Sequence, residues 1–152
     1  MSYIIDISFH YSKLNRKKIR LAHGSCKTYN ICYLGICNIC NKPYTGRTVD
    51  PLRTRINGHR HSYKEVLKKA ADNNLQQLDT NNDLYSLGLH LHVDHGLTDP
   101  NAFDKNYKFS ILENVSPSEI EVKEYKWMHH INSFQPNGIN TEYPFGIPYL
   151  GQ

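Results

Sequence analysis

Residues 28–48, TYNICYLGICNICNKPYTGRT, decide how this chain is read. Tyr29, Ile31 and Tyr33 alternate with Asn30, Cys32 and Leu34, and the aromatic and β-branched content marks a strand over Thr28–Cys37. Asn38 to Lys42 reads as a turn, and Tyr44 to Arg47 as a second short strand. Two strands so close in sequence should pair as an antiparallel hairpin, with Cys37 and Cys40 at its tip.

Working outward, Asp50-Pro51 reads as a helix start, a capping side chain followed by proline at the first helical position. That helix is expected to run to about Ala70, with an apolar stripe of Leu52, Ile56, Tyr63, Val66 or Leu67, and Ala70. Asp72 to Asp83 is polar and reads as a loop, and Leu84 to His92 as a short helix. His95 to Asn106 is loop-like, and Tyr107 to Leu112 alternates as a third strand. Ser116-Pro117 looks like a second cap, for a helix over Pro117–Asn132 whose apolar face is Ile120, Trp127, Met128 and Ile131. The tail beyond it is rich in turn-forming proline and glycine. Residues 1–24 read as a basic N-terminal extension with a short strand at Tyr3–Ile7, and 25–152 as the domain proper. The order predicts an α/β fold: a small antiparallel sheet of about three strands, flanked by helices.

With 152 residues, the chain is the size of one ordinary domain. No apolar stretch approaches the roughly 20 residues of a membrane helix. At the N-terminus the apolar residues precede the basic ones, the reverse of a secretory signal. The expectation is an intracellular protein without membrane contact, with a nuclear, viral or mobile-element setting open. The net charge is +4, and the basic residues are clustered. Lys13, Arg16, Lys17, Lys18 and Arg20 form one group; Arg47, Arg53, Arg55, Arg60, Lys64, Lys68 and Lys69 form another. Either could contact phosphates, or be an ordinary solvated surface. All four cysteines fall between positions 26 and 40, and Cys37-x2-Cys40 is the commonest half of a zinc site, with a redox pair as the alternative.

Several residues sit where their chemistry is unexpected. Glu124 lies four residues after Ile120 and seven before Ile131, on their apolar face, where a carboxylate needs a metal ion, an arginine or a route to solvent. Arg55 and His59 are one helical turn apart and could grip a phosphate together, or be an edge arginine and an amphipathic histidine. Tyr33 and Tyr44 could project from one sheet face, although most strand tyrosines simply pack.

Together these residues resemble the GIY-YIG nuclease domain, in the branch found in Penelope-like retroelements. Tyr44-Thr45-Gly46 is similar to the second motif, with threonine in place of isoleucine; Ile31-Cys32-Tyr33 keeps the tyrosine of the first motif and lacks its glycine. Arg55 and His59 lie within RTVDPLRTRINGHR, and EYKWMHHINSFQPNGIN resembles the glutamate helix with its closing asparagine, Asn140. The resemblance spans roughly residues 28–142. It implies a metal-dependent DNA endonuclease hydrolysing phosphodiester bonds. Tyr44 would be the general base, Glu124 the ligand of one Mg²⁺ or Mn²⁺, and Arg55 the phosphate clamp. Tyr33 and His59 would orient the phosphate and water, Arg47, Arg53 and Arg60 would contact nucleic acid, and Asn140 would be structural. The branch also implies a structural Zn²⁺ held by Cys37, Cys40, His90 and His95, with His92, His23 and Cys26 as competing ligands. The partner would be DNA, duplex or branched, and a double-strand break would need a dimer or two encounters.

Two alternatives stand beside this reading. One is a zinc-stabilised nucleic-acid-binding protein that does not cut. The other is a structural protein on a nuclease scaffold, which expects Glu124 to be satisfied by a salt bridge and Arg55 and Tyr44 not to converge.

Overall fold

The computed structural model describes residues 19–80 and 82–141, together with the backbone of His10, Tyr11 and Lys18. The strand expected at Tyr3–Ile7 lies outside the described residues, as do Lys13, Arg16 and Lys17. In chain order the elements are β1 (His10–Tyr11), β2 (Lys18–Ile19), β3 (Ile31–Cys37), β4 (Pro43–Thr48), α1 (Leu52–Ala71), α2 (Ser86–Leu89), α3 (Phe103–Asn106), β5 (Tyr107–Asn114) and α4 (Ile120–Ile131). A π turn over His90–Asp94 continues α2. β1 and β2 form a small antiparallel ribbon.

The main sheet has three strands in the order β4-β3-β5, antiparallel throughout, as the sequence predicts. β3 begins at Ile31, later than expected, because Asn30 turns the chain through the left-handed region at φ 51°. As the central strand it is covered on both faces. Ile31 and Tyr33 join Tyr44, Leu52, Ile56, Tyr63 and Leu87 in one core. Cys32 and Leu34 join Ile19, Leu21, Leu112, Ile120 and Ile131 in the other. The molecule is therefore layered, with α1 and α2 on one side of the sheet and α4 on the other. Ile19 and Leu21 are buried in that second core, and Ala22 N donates to Ile111 O at 3.0 Å, so the packed unit begins before residue 25.

Both helix starts differ from expectation. α1 begins at Leu52 with Pro51 as its N-cap, and no side chain caps it. Its first N–H groups are instead satisfied by the segment before β3: Leu52 N donates to Thr28 O at 2.9 Å and Arg53 N to Cys26 O at 2.8 Å. Backbone carbonyls do the work expected of Asp50. α4 begins at Ile120, three residues after Pro117, with Glu119 as an N-cap whose side chain makes no capping bond.

β4 is an edge strand, and its free backbone is covered. The turn after α4 brings Asn140 beside Thr45: Thr45 N donates to Asn140 Oδ1 and Asn140 Nδ2 donates to Thr45 O, both at 2.9 Å. Ile139 N adds a bond to Pro43 O at 2.9 Å. Blocking an edge this way satisfies groups that would otherwise be buried unpaired or invite another strand.

Candidate functional site

The hairpin register explains how two tyrosines come to share one face. Tyr33 pairs with Gly46 and Gly35 with Tyr44, so each ring lies opposite a glycine. The space is needed: a Cβ on Gly46 would come within 2.4 Å of the Tyr33 ring, and one on Gly35 within 3.0 Å of Phe109. The Tyr-x-Gly motif thus has a steric reason that involves both strands.

Against these tyrosines α1 delivers two side chains one turn apart. His59 Nε2 is 2.7 Å from Tyr33 Oη, and Arg55 Nε donates to the same oxygen at 3.3 Å. Asp83, from the loop before α2, completes the group. Tyr44 Oη donates to Asp83 Oδ2, and an Arg55 terminal nitrogen lies 3.6 Å from that oxygen. Tyr33, Tyr44 and His59 are fully enclosed, whereas the Asp83 and Arg55 side chains keep 18% and 27% exposure. Burial, with Arg55 adding to it, pushes His59 down to about 3, so its imidazole is neutral. Burial also raises both phenols, Tyr44 further because of Asp83.

Glu124 approaches from the other side of the sheet, across the edge strand. Arg47, next to Gly46 but facing α4, donates to Glu124 Oε2 at 3.2 Å and to Glu121 Oε1 at 3.0 Å. Burial raises the Glu124 carboxyl to about 7; Arg47 opposes the rise and Asp83 adds to it. Arg55 also acts on this charge, so Glu124, Asp83 and Arg55 share one electrostatic neighbourhood. The two diagnostic features therefore divide. Glu124 has its salt bridge, as the structural-protein alternative expects, while Arg55 and Tyr44 converge on Asp83, as it does not.

The second centre is at the hairpin tip. The ligand atoms of Cys37, Cys40, His90 and His95 all lie within 4.8 Å of one another. Cys40 Sγ is 3.3 Å from His90 Nε2, Cys37 Sγ 3.7 Å from His95 Nε2, and the two Nε2 atoms are 3.2 Å apart. Tetrahedral zinc with ordinary bond lengths has edges of about 3.5 Å between sulfur and nitrogen and about 3.3 Å between nitrogens. The four residues could thus hold a metal ion. His90 Nδ1 is 2.7 Å from Asp94 Oδ2, the carboxylate–histidine pairing that orients a ligand ring. The π turn matters here, because its wider winding brings residues five apart, His90 and His95, onto one side. His92 is engaged elsewhere, its Nδ1 2.9 Å from Leu97 O, and neither it nor His23 or Cys26 belongs to the cluster.

Of the other expected contacts, Arg53 is exposed on α1. Arg60 is held by Asp104 at 2.8 Å and also donates to Asn57. Sequence reasoning missed Asp83 and Asp94. Asp83 closes a polar loop with no periodicity to mark it; Asp94, four residues after His90, was the more legible of the two.

No family model matches the chain, and no curated protein or solved structure matches it. What the two centres do therefore rests on their geometry. Among the described residues, no helix is long and apolar enough to cross a membrane.

Proposed function

We propose that this protein is a metal-dependent DNA endonuclease of GIY-YIG-like type, with a zinc-braced hairpin beside its active centre. The observation that carries the reading is the convergence of Tyr33, Tyr44, Arg55, His59 and Asp83, drawn from two strands, a helix and a loop, on one partly open polar cluster. A purely structural core would have little use for an arginine, a carboxylate and three enclosed hydrogen-bonding rings in contact.

In this reading the DNA phosphate meets Arg55, whose guanidinium donates charge-assisted bonds to the non-bridging oxygens as they gain charge. His59 and Arg55 both hold the Tyr33 hydroxyl, fixing its orientation at the site. Arg47 stands at the rim and exchanges its bond to Glu124 for one to phosphate. Glu124, buried and held near neutrality, suits an oxygen ligand that a divalent ion would draw into its charged form. Bound Mg²⁺ or Mn²⁺ would neutralise the phosphate and stabilise the departing oxygen. Tyr44, the expected base, is enclosed and donates a hydrogen bond to Asp83, so it does not stand as a free phenolate.

Zn²⁺ suits the two thiols and two imidazoles of the hairpin site. With four protein ligands and no open position, it would brace the hairpin tip against the α2 segment without activating water. The partner would be duplex or branched DNA.

The decisive experiment is cleavage of supercoiled plasmid with Mg²⁺ or Mn²⁺ by wild type, Glu124→Ala and Arg55→Ala. Metal-dependent nicking that disappears in both variants supports the reading. Equal activity in all three points to a different site. DNA binding without cleavage, on branched DNA as well, favours the binding-only alternative.

A further inference from the structure

We infer that Asp83 is the general base of this centre, the group that takes the proton of the attacking water, with Tyr44 as the side chain that aims it. The inference rests on the nuclease reading and names a residue which the family resemblance did not assign.

Three observations lead to it. The first is access. Tyr33, Tyr44 and His59 have no exposed surface and Asp83 Oδ1 is enclosed as well, so solvent and substrate meet the cluster through what remains open, 18% of the Asp83 side chain and 27% of Arg55. The second is the direction of the hydrogen bond: Tyr44 donates to Asp83, which orients the carboxylate and leaves the phenol protonated. Burial and the Asp83 charge both hold that phenol well above its ordinary range, so at neutral pH it keeps its proton. The third is placement. Asp83 starts a tight helical turn over Asp83–Tyr85, which Asn82 fixes by accepting a bond from Leu84 N at 3.1 Å. The turn holds the carboxylate beside Arg55, the residue expected to receive the phosphate.

The step balances without an outside reagent. The water oxygen forms the new bond to phosphorus as one of its O–H bonds breaks, and that proton passes to an Asp83 oxygen. The bond from phosphorus to the leaving sugar oxygen breaks with its electron pair. Solvent protonates the leaving oxygen, and Asp83 returns its proton to solvent. Nothing is oxidised or reduced. Tyr44 keeps its proton and acts as a positioning residue.

Groups acting on Asp83 include Tyr33 on β3, Tyr44 on β4, Arg55 on α1 and Glu124 on α4. Removing its basicity without removing its shape is therefore the informative change.

The test uses the full chain with Mn²⁺, on supercoiled plasmid and on a branched duplex. Asp83→Asn should slow single-turnover cleavage by about 100-fold or more, the scale of a lost general base, with melting temperature unchanged and DNA bound at least as tightly. The acid limb of the wild-type pH–rate profile should vanish from the residual activity. Tyr44→Phe keeps the carboxylate and should lose about tenfold, with the acid limb retained. Should Asp83→Asn fail to fold, Asp83→Glu decides: slower cleavage with a displaced acid limb supports the assignment, and an undisplaced limb overturns it. Wild-type rates in Asp83→Asn, alongside an inactive Glu124→Ala, overturn Asp83 as base and leave the nuclease reading intact. Absence of cleavage by wild type on both substrates overturns that reading, and this inference with it.

Discussion

Asn140 and Thr45 exchange two hydrogen bonds, each 2.9 Å long, between one side-chain amide and one stretch of edge-strand backbone. Both residues are buried, so neither bond has water to fall back on. The contact ties the turn after α4 to the strand that carries Tyr44, and therefore couples the glutamate helix to the tyrosine hairpin. Asn140→Ala would leave the Thr45 N–H and carbonyl buried and unpaired, a loss of about 2–4 kcal/mol. Denaturant unfolding of the two proteins measures it, and a loss under 1 kcal/mol would mean that water or another group replaces the amide.

Gly46→Ala should destabilise by about 1–3 kcal/mol, because the new methyl would press on the Tyr33 ring, which has packed neighbours on every side. Cleavage should fall further than stability accounts for, since the displaced ring carries the hydroxyl held by Arg55 and His59. A variant with wild-type melting and wild-type cleavage would show that the ring is free to move.

His59 and Glu124 bend the pH dependence of stability in opposite directions. The imidazole falls from 6.5 to about 3 on folding, so the unfolded chain binds the extra proton. Its contribution is full above 6.5 and is lost as pH falls toward 3, with about 2 kcal/mol gone by pH 5. The Glu124 carboxyl rises from 4.5 to about 7, so the folded chain binds the proton, and stability declines as pH rises from 4.5 through 7. His59→Gln should flatten the acid arm. Glu124→Gln should gain about 1–3 kcal/mol relative to wild type between pH 5 and pH 8 in buffer free of Mg²⁺ and Mn²⁺. Chemical unfolding across that range tests both slopes, and an acid arm unchanged in His59→Gln would sink the first.

Glu124→Gln should also bind DNA and fail to cut it, the usual exchange of stability for function at a buried carboxylate. Normal cleavage by this variant would remove Glu124 from the site.

Metal analysis of the purified chain should find about one zinc per molecule, and cobalt substitution should give the visible bands of a tetrahedral thiolate–imidazole site. Cys37→Ser or chelation should abolish both and lower the melting temperature. Retained zinc in Cys37→Ser together with His90→Ala would place the ion elsewhere.

Much of this architecture is local in origin and was legible in the chain. Alternation over β3 and β5, the turn between Cys37 and Cys40, and the apolar stripes of α1 and α4 each depend on residues close in sequence. The sheet of three antiparallel strands flanked by helices follows from their order. Glu124 could be singled out because a carboxylate on an apolar stripe is visible from spacing alone. The helix starts were misread at Asp50 and Ser116 for the complementary reason. Capping was supplied at α1 by the carbonyls of Cys26 and Thr28, a partner that no local pattern contains.

What the sequence determined by itself was therefore the elements, their order and the stock of reactive side chains. Only the tertiary structure decided how these combine. Four histidines could have joined the two cysteines, and the winding of one π turn selected His90 and His95 over His92. Asp83 reached Tyr44 from 39 positions away, and Arg47 reached Glu124 from 77. Secondary structure is set by neighbours along the chain, whereas a site of this kind is set by which surfaces pack, and packing is decided by the whole core at once.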